Sequence, residues 1–460
     1  MIEKSITANF SKEIYNFTQK FKKTLSVPNQ KNLREILRGI ILTGSTHLAK
    51  ISRVSKTGNR ERSDITRFST ALEKIDAQSF HNIHITHTLK NYTQEPTLFF
   101  SDGGDIQKPA AQKMEKVCSA IDGNNGHRVG KGFPAHSIVA YGVQTKTLRP
   151  LSFHLYSTKE EEFKSEFTEQ KKIFSLLSAQ INTNIKPSAY DRIIIEDRGC
   201  DSQNRFLYFL KDLHFSFITR INTGVKARNF CIKTPGGNFF TLSTQQILKN
   251  QKKKIFDKKQ NHIQIPQNQK RTWYNKKIKK NCESIIDVQE VYLPQHKNIP
   301  LYLISVFTEG YKDPLCVLTD LTTDTLEKAW KYFFFYKKRW EVENLFRSMK
   351  QNFDLEKFQI LSFKKIKALT FLVLLAKDFL SVLQSKIKDF LNIFYKIFTS
   401  FCKNSQRSGT HHLDLLAFIR AILPVSKDGY SYHFFSSYFH NIRNRITSNQ
   451  CSLFDFRKKC

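Results

Sequence analysis

Acidic residues are scarce in this sequence. Its 460 residues include 74 lysines and arginines against 40 aspartates and glutamates, which gives a formal net charge of +34. An excess of this size favours a polyanionic partner. The 40 phenylalanines and the abundant lysines could reflect a biased, AT-rich genome. Because part of the charge would then have no functional meaning, the clustering of the charges is more informative than their total.

Three further absences exclude whole classes of protein. None of the eight cysteines forms a C-x2-C pair, which argues against a zinc ribbon or zinc finger. The longest strongly apolar run, residues 369–376, is too short to span a bilayer. Charged and polar residues interrupt the first twenty positions, unlike a signal peptide. We therefore expect a reduced, cytoplasmic protein with no membrane partner.

The middle of the chain has neither a glycine-rich phosphate loop nor a Ser/His/Asp constellation, but it alternates between strand and helix patterns. Three strands, a helix, a strand, a helix and a strand are predicted at residues 97–100, 137–143, 151–156, 159–181, 192–197, 203–213 and 215–221. This order predicts the α/β class and is compatible with a ribonuclease-H-like catalytic core.

Two aspartates stand at the ends of apolar strands in this block. Asp102 follows the run 97–100, and Asp197 closes the β-branched run 192–197. Cleavage of a phosphodiester with two Mg²⁺ ions needs clustered oxygen ligands on rigid elements, and strand ends provide such positions. With Glu343, on a predicted helix, these aspartates are our candidate catalytic and metal-binding residues.

Three neighbouring acids are weaker candidates for this role. Asp105 could cap the turn that follows Asp102. Glu196 points to the opposite face of its strand from Asp197 by simple alternation. Glu341 lies on a different side of the predicted helix from Glu343 and is more typical of a surface residue.

The helix that carries Glu343 has a polar stripe. Four residues fall at offsets of 0, 3, 7 and 14 along it, namely Tyr336, Arg339, Glu343 and Lys350. At roughly 100° per residue, these offsets share one narrow face of a continuous helix. The two cations and the phenol could hold a phosphate beside the carboxylate. An ordinary helix with an ion-pair network of Arg339, Glu343 and Arg347 would have the same pattern.

The stripe resembles the Y-x2-R-x3-E-x6-K signature of bacterial insertion-sequence transposases, specifically the insertion sequence 4 family of DDE enzymes. All four positions match. Asp102, in Phe-Ser-Asp-Gly-Gly-Asp-Ile at 100–106, is similar to the family's first-aspartate strand end. Asp197, in Asp-Arg-Gly-Cys-Asp-Ser at 197–202, is close to its D-R-G-x-D-S second-aspartate motif.

This resemblance implies roles for the matching residues. The three carboxylates would hold two Mg²⁺ ions, with Mn²⁺ as a substitute, and Asp102 would be shared by both ions. Contacts with the DNA backbone are expected from Tyr336, Arg339, Lys350, Arg347 and Arg198.

The resemblance also implies a cut-and-paste reaction on double-stranded DNA, at terminal inverted repeats and at a target. The 3′ end would first be nicked by hydrolysis, and the freed hydroxyl would attack the opposite strand. The resulting hairpin would be reopened before strand transfer. The protein would act as a homodimer in the synaptic complex, in the bacterial cytoplasm and at the nucleoid when bound to DNA.

We expect five regions along the chain. They are a helical DNA-binding region at 1–90, the first part of the core at 91–222, a β-rich basic insertion at 223–320, the catalytic helix that completes the core at 321–365, and a helical C-terminal region at 366–460 that could serve dimerisation. Within the first region, helices at 33–41 and 47–54 could form a helix-turn-helix-like unit or any small bundle.

The insertion contains a lysine-rich segment, 249–280, which we expect to be a loop. It has twelve lysines and arginines and one acid, which favours DNA contact, although a solvated loop that binds nothing would have the same composition. Trp273 in this segment could stack on an unpaired base, but a packing role is the favoured interpretation. His136 and His154 are expected to be structural.

Two other functions stay open. A transposase-derived protein without catalysis would bind element ends and leave them uncut, whereas a nuclease or recombinase with the same core would have a different task and cut without joining. Assays for nicking and for strand transfer distinguish these alternatives.

Overall fold

The computed structural model of the chain describes residues 2–55, 60–90, 95–122, 128–184, 192–224, 227–260, 265–275 and 280–386. The predicted dimerisation region therefore lies outside the described residues from position 387 onward. The chain divides into two compact units. The helical unit comprises Met1–Ile83, Ile106–Phe133 and Arg347–Cys460, and the sheet unit comprises His84–Asp105 and Pro134–Phe346.

The described chain begins with five helices and continues with strands and helices in mixed order. The helices are α1 (Ile2–Thr18), α2 (Val27–Thr43), α3 (Leu48–Arg53), α4 (Glu61–Glu73), α5 (Ala77–Leu89), α6 (Glu166–Asn184), α7 (Gln203–Leu207), α8 (Thr244–Gln260), α9 (Leu326–Lys338), α10 (Trp340–Asn352) and α11 (Phe363–Lys386). The strands are β1 (Thr97–Gln107), β2 (Cys118–Asp122), β3 (Arg128–Gly142), β4 (Leu148–Leu155), β5 (Ile193–Glu196), β6 (Ser216–Arg220), β7 (Asn229–Lys233), β8 (Phe239–Ser243), β9 (Lys270–Asn275), β10 (Lys280–Leu293), β11 (His296–Thr308) and β12 (Leu315–Thr319).

The sheet unit is built on one mixed sheet. Its strands lie in the order β3-β1-β5-β6-β12-β11-β10-β7-β8, with β4 paired to β3 and β9 paired to β10. The pairs β1–β5 and β5–β6 are parallel, while β12 is antiparallel to β6. The predicted α/β class is confirmed, because parallel strands in the middle of this sheet are connected through helices.

The two faces of the sheet are covered by different helices. Phe99 of β1, Ile194 of β5 and Phe217 of β6 pack in one core with Phe174 and Leu177 of α6. Helix α9 contacts β5 and β6 as well. Because side chains alternate along a strand, residues next to Phe99 and Ile194 in the chain point to the opposite face from this core.

Strand β1 is longer than the apolar run from which it was predicted. The predicted strand ends at Phe100, and that boundary is wrong, since β1 continues through Asp102 to Gln107. Gly103 and Gly104 weaken the strand pattern in the sequence. Ile106, which is fully buried, anchors the far end of the strand in the structure.

The predicted lysine-rich loop is also wrong in part. Helix α8 occupies residues 244–260 and strand β9 occupies residues 270–275 of this segment. Three apolar side chains explain the helix, because Ile247, Leu248 and Ile255 share one face and are buried. The composition of the segment conceals them among lysines. The expected insertion as a whole contributes β7 to β12 to the same sheet.

In the helical unit, the two helices predicted near residues 33–41 and 47–54 are confirmed as α2 and α3. Gly44 ends α2 in the left-handed conformation with φ of 61°, which favours glycine. The helices approach closely, since a Cβ on Gly39 would lie 2.5 Å from Cγ2 of Ile51. DNA binding by this pair stays a prediction. Among the described helices, none combines the length and hydropathy that a bilayer span requires.

Candidate active site

The pairing of β1 with β5 brings the two candidate aspartates together. These strands are parallel, and Phe100 is the partner of Ile195. Two residues further along each strand, the same register leads to Asp102 and Asp197, on adjacent strands about 4.8 Å apart. Both aspartates share the face that is turned away from the core around α6.

The signature residues lie on two helices rather than one. The predicted continuous helix is wrong, because α9 ends at Lys338, Arg339 forms the joint, and α10 begins at Trp340. At the joint, the Arg339 N–H donates to the Tyr336 carbonyl at 2.9 Å, and the Val342 N–H donates to the Arg339 carbonyl at 3.0 Å. Such i to i+3 bonds tighten a helical turn. Residue spacing alone does not reveal so local a change.

The guanidinium of Arg339 is the centre of the site. Its Nη1 lies 3.4 Å from Oδ2 of Asp102, and its Nη2 lies 3.7 Å from Oδ2 of Asp197 and 2.5 Å from Oε1 of Glu343. The arginine side chain is only 8% exposed. The structure therefore brings together the three acids predicted from the sequence, which we call the carboxylate cluster: Asp102, Asp197 and Glu343.

Two further groups contact Asp197. The Tyr336 hydroxyl donates a 2.8 Å hydrogen bond to Oδ1 of Asp197, and Nη1 of Arg220 lies 4.0 Å from the same oxygen. Burial and the adjacent Asp197 carboxylate raise the pKa of Tyr336 to about 12. The phenol therefore stays protonated at neutral pH and acts as a donor.

The two aspartates differ in their affinity for a proton. Burial raises the pKa of Asp102 to about 7; Arg339 opposes this rise, whereas Glu343 and Asp197 add to it. Burial also tends to raise the pKa of Asp197. Arg339, the Arg198 N–H and the Tyr336 hydroxyl have the larger combined effect, so the pKa of Asp197 is lowered. Neighbouring carboxylates whose pKa values are pushed apart are typical of catalytic sites.

A buried polar network lies on the other face of the same two strands. Ser101, just before Asp102, donates a 2.9 Å hydrogen bond to Glu196, just before Asp197. Arg205 of α7 binds both oxygens of Glu196, at 2.6 and 2.8 Å. The network ties β1 to β5 directly behind the aspartates. A role for this network was not predicted from the sequence, although an acid on the opposite face of the strand from a candidate ligand was a signal for it.

The other predicted DNA-binding residues lie outside the carboxylate cluster. Arg198 and Arg347 are exposed. Lys350 forms an ion pair of 2.7 Å with Glu356. A role for these three residues in DNA binding stays a prediction.

The residues for which a packing role was expected do pack. The ring of Trp273 lies 5.9 Å from the rings of both Trp330 and Phe333. His136 is fully buried, and its Nε2 shares a 2.9 Å hydrogen bond with the Ser101 hydroxyl. His154 lies 3.1 Å from Glu169.

The donor atoms of the carboxylate cluster suit a divalent cation. Carboxylate oxygens are the ligands that Mg²⁺ and Mn²⁺ prefer, and the three side chains are 27%, 38% and 28% exposed, so an ion can reach them. Their present spacing suits a guanidinium instead. Within the ranges that the structure describes, no group of three or more His, Cys, Asp or Glu is positioned to hold a metal ion.

A comparison with protein families decides the relationship of this chain to known proteins. Residues 116–377, more than half of the sequence, match the model of the Transposase DDE domain. The chain belongs to the DDE transposase family. The matched segment contains Asp197 and Glu343, and Asp102 precedes it. No match was found among curated proteins.

Membership in this family indicates a general class of reaction. A DDE transposase domain acts on DNA, and its activity is in general metal-dependent nuclease and transposase chemistry. In this transposase, three acids distant in the chain meet around one buried arginine, on strands and helices that fix their positions.

Proposed function

We propose that the protein is a cut-and-paste DNA transposase that cleaves the ends of an insertion sequence and joins them to target DNA. Asp102, Asp197 and Glu343 are its catalytic residues and the ligands of two Mg²⁺ ions, for which Mn²⁺ substitutes. The observation that carries this proposal is the convergence of these three carboxylates on Arg339.

The order of the strands supports a ribonuclease-H-like core. Strands β4, β3, β1, β5 and β6 are neighbours in that order, β1–β5–β6 are parallel, and α6 and α7 connect them. In this arrangement the first two acids lie on adjacent central strands. Glu343 then reaches them from α10, which follows the strands β7 to β12 in the chain.

The spacing of Tyr336, Arg339, Glu343 and Lys350 supports the insertion sequence 4 family as the closer relationship. Bound Mg²⁺ would activate the attacking oxygen and stabilise the leaving oxygen of a phosphodiester. The protein's own part is to hold the three carboxylates in place. Arg339, the Arg198 N–H and the Tyr336 hydroxyl together lower the pKa of Asp197, whereas burial raises the pKa of Asp102 to about 7.

The substrate proposed is double-stranded DNA, at terminal inverted repeats and at a target site. The net charge of +34 supports a polyanionic partner. Exposed Arg198 and Arg347 are available for backbone contacts. Pairing of two element ends would require a homodimer in the synaptic complex. We propose the hairpin route for end processing on the resemblance alone.

A nicking assay tests this function. Labelled duplex DNA from the borders of the coding region is incubated with Mg²⁺ and either the unaltered protein or Asp197→Asn or Glu343→Gln. We expect cleavage by the unaltered protein and a loss of at least about a thousandfold in each variant, with duplex binding retained. Glu341→Gln, on the same helix as Glu343, is the matched control and should cut normally.

The same assay separates the alternative functions. Binding of the ends without cutting by the unaltered protein would refute catalysis and favour a non-catalytic end-binding protein. Cutting without transfer to a target plasmid would favour a nuclease.

A further inference from the structure

Arg339 occupies the middle of the proposed metal site. A guanidinium nitrogen lies within 3.7 Å of an oxygen of every carboxylate in the cluster, and the arginine is almost completely buried. One positive charge is thus shared by three acids. The only other cation in contact with the cluster, among the residues that the structure describes, is Arg220, which is 39% exposed and lies 4.0 Å from Asp197.

This arrangement is incompatible with a metal ion held by all three acids. Ligand oxygens lie about 2.0–2.2 Å from Mg²⁺ or Mn²⁺ and must face a common centre. Here the oxygens of Asp102 and Glu343 bind different nitrogens of a planar group. A guanidinium and a divalent cation bound to the same three carboxylates would also repel each other strongly in a partly buried site.

The position of Arg339 in the chain allows its side chain to move out of the carboxylate cluster. It lies at the joint between α9 and α10, where the regular helical hydrogen bonding is interrupted. A phosphodiester provides an alternative partner, because a guanidinium binds two phosphate oxygens with parallel hydrogen bonds. DNA is the polyanion that this basic transposase meets.

We propose that Arg339 is a resident counter-cation that excludes the divalent metal from the carboxylate cluster until a DNA phosphate takes its guanidinium. The inference rests on the proposed function, since it takes Asp102, Asp197 and Glu343 as metal ligands. It goes further in making metal binding conditional on DNA. The free protein has a weak metal site, and metal and DNA each strengthen the binding of the other.

The first experiment measures Mn²⁺ affinity without DNA, from the paramagnetic resonance signal of free Mn²⁺. We expect Arg339→Gln to bind Mn²⁺ at least about tenfold more tightly than the unaltered protein, since one opposing charge has been removed. Arg339→Lys keeps the charge and should stay within about threefold of the unaltered protein. Arg271→Gln, which removes an exposed arginine of β9, should have no effect.

Substitution of a proposed metal ligand tests whether Mn²⁺ binds at the carboxylate cluster. It also distinguishes failure of the counter-cation proposal from failure of the proposed function. Asp102→Asn in the Arg339→Gln background should remove the gain in affinity. If Asp102→Asn weakens Mn²⁺ binding but Arg339→Gln binds no more tightly than the unaltered protein, the counter-cation is refuted and the metal site stands. If Asp102→Asn, Asp197→Asn and Glu343→Gln all bind Mn²⁺ normally, the proposed function itself fails. Circular dichroism verifies that each variant is folded.

The second experiment measures the coupling to DNA, by fluorescence anisotropy of a labelled duplex with and without Mn²⁺. We expect Mn²⁺ to tighten duplex binding about tenfold in the unaltered protein and in Arg271→Gln. In Arg339→Gln, Mn²⁺ should tighten duplex binding only about twofold or less, because there is no guanidinium to move from the carboxylates to a DNA phosphate. Equal factors in all three proteins would refute the exchange.

Discussion

The Tyr336 hydroxyl donates a 2.8 Å hydrogen bond to Asp197, a residue 139 positions earlier in the chain. The bond joins α9 to the end of β5 and favours the ionised carboxylate, whose pKa is lowered. A signature tyrosine of this kind was expected from the resemblance to contact DNA. In this structure its donor is directed at a catalytic candidate, and we infer that Tyr336 positions Asp197.

Replacing Tyr336 with phenylalanine removes this donor and leaves the ring in place. We expect Mg²⁺-dependent cleavage at pH 8 to fall about three- to tenfold, the equivalent of one hydrogen bond. Loss of a donor to the charged form raises the pKa of Asp197. The acidic limb of the pH–rate profile should nevertheless stay in place, because it follows Asp102, whose pKa of about 7 lies above that of Asp197. An unchanged rate of cleavage at saturating DNA, with reduced DNA binding, would instead assign Tyr336 to the DNA backbone.

The buried pair of Glu196 and Arg205 holds the strands behind the site. Glu196→Gln would leave the Arg205 guanidinium, which is 7% exposed, without its charged partner. We expect a loss of about 3–5 kcal/mol in the free energy of unfolding, measured in urea. Glu161→Gln, at an exposed position, should change it by less than about 0.5 kcal/mol. A loss of similar size in both variants would contradict the role of the pair.

Gly104 provides a test of the packing between β1 and α10. A Cβ at this position would lie 2.9 Å from Cζ of Phe346, three residues after Glu343. The ring of Phe346 packs against the ring of Phe153, with 5.3 Å between the ring centroids, which limits its movement away from a new Cβ. We expect Gly104→Ala to shift α10, with a loss of about 1–3 kcal/mol in stability and about tenfold in cleavage.

Gly103 is the matched control for that substitution. A Cβ there would lie 3.5 Å from Oε1 of Glu166, an ordinary contact. Gly103→Ala should therefore retain cleavage within about twofold and stability within about 0.5 kcal/mol. If the two alanine variants lose activity to the same degree, the strand tolerates no side chain in general, and close packing against Phe346 is not the cause.

Lys377 makes the stability of the helical unit depend on pH. Its side chain is buried, its ammonium donates to the Ser348 hydroxyl at 3.2 Å, and burial lowers its pKa to about 8. Since the unfolded chain has the higher pKa, it binds the proton more tightly between about pH 8 and 10.4. The unfolding free energy should therefore rise with pH across this interval.

Lys377→Met should remove this dependence. We expect the variant to gain about 1–3 kcal/mol in unfolding free energy at pH 7, where the cost of the buried charge is complete, and little at pH 10.4. Lys364→Met changes an exposed lysine of the same helix and serves as the control. Equal gains at pH 7 and pH 10.4 would mean that the effect of Lys377→Met is apolar packing and not charge.

Part of this site could be predicted from the sequence. β-branched and aromatic runs ending near Asp102 and Asp197 indicate buried strands, and the order of the predicted strands and helices is compatible with a single α/β core. That is why the two aspartates could be paired across 95 positions, the separation that the Ser101–Glu196 bond also spans. The exact end of β1 was not predictable, because Gly103 and Gly104 conceal the continuation that Ile106 stabilises.

The joint at Arg339 could not be predicted. Helical periodicity identifies which residues share a face, but one tight turn barely alters the spacing of Tyr336 and Glu343. The position of the guanidinium among three acids depends on this turn. In the same way, the lysines of α8 conceal the buried residues Ile247 and Ile255, whose spacing was the signal for the helix.

The most direct test of the account is the position of a metal ion in a crystal of the transposase bound to duplex DNA and soaked in Mn²⁺. The account predicts an anomalous difference peak about 2.0–2.3 Å from carboxylate oxygens of Asp102, Asp197 and Glu343. Anomalous peaks only at other groups, with these three carboxylates bound to no ion, would contradict it.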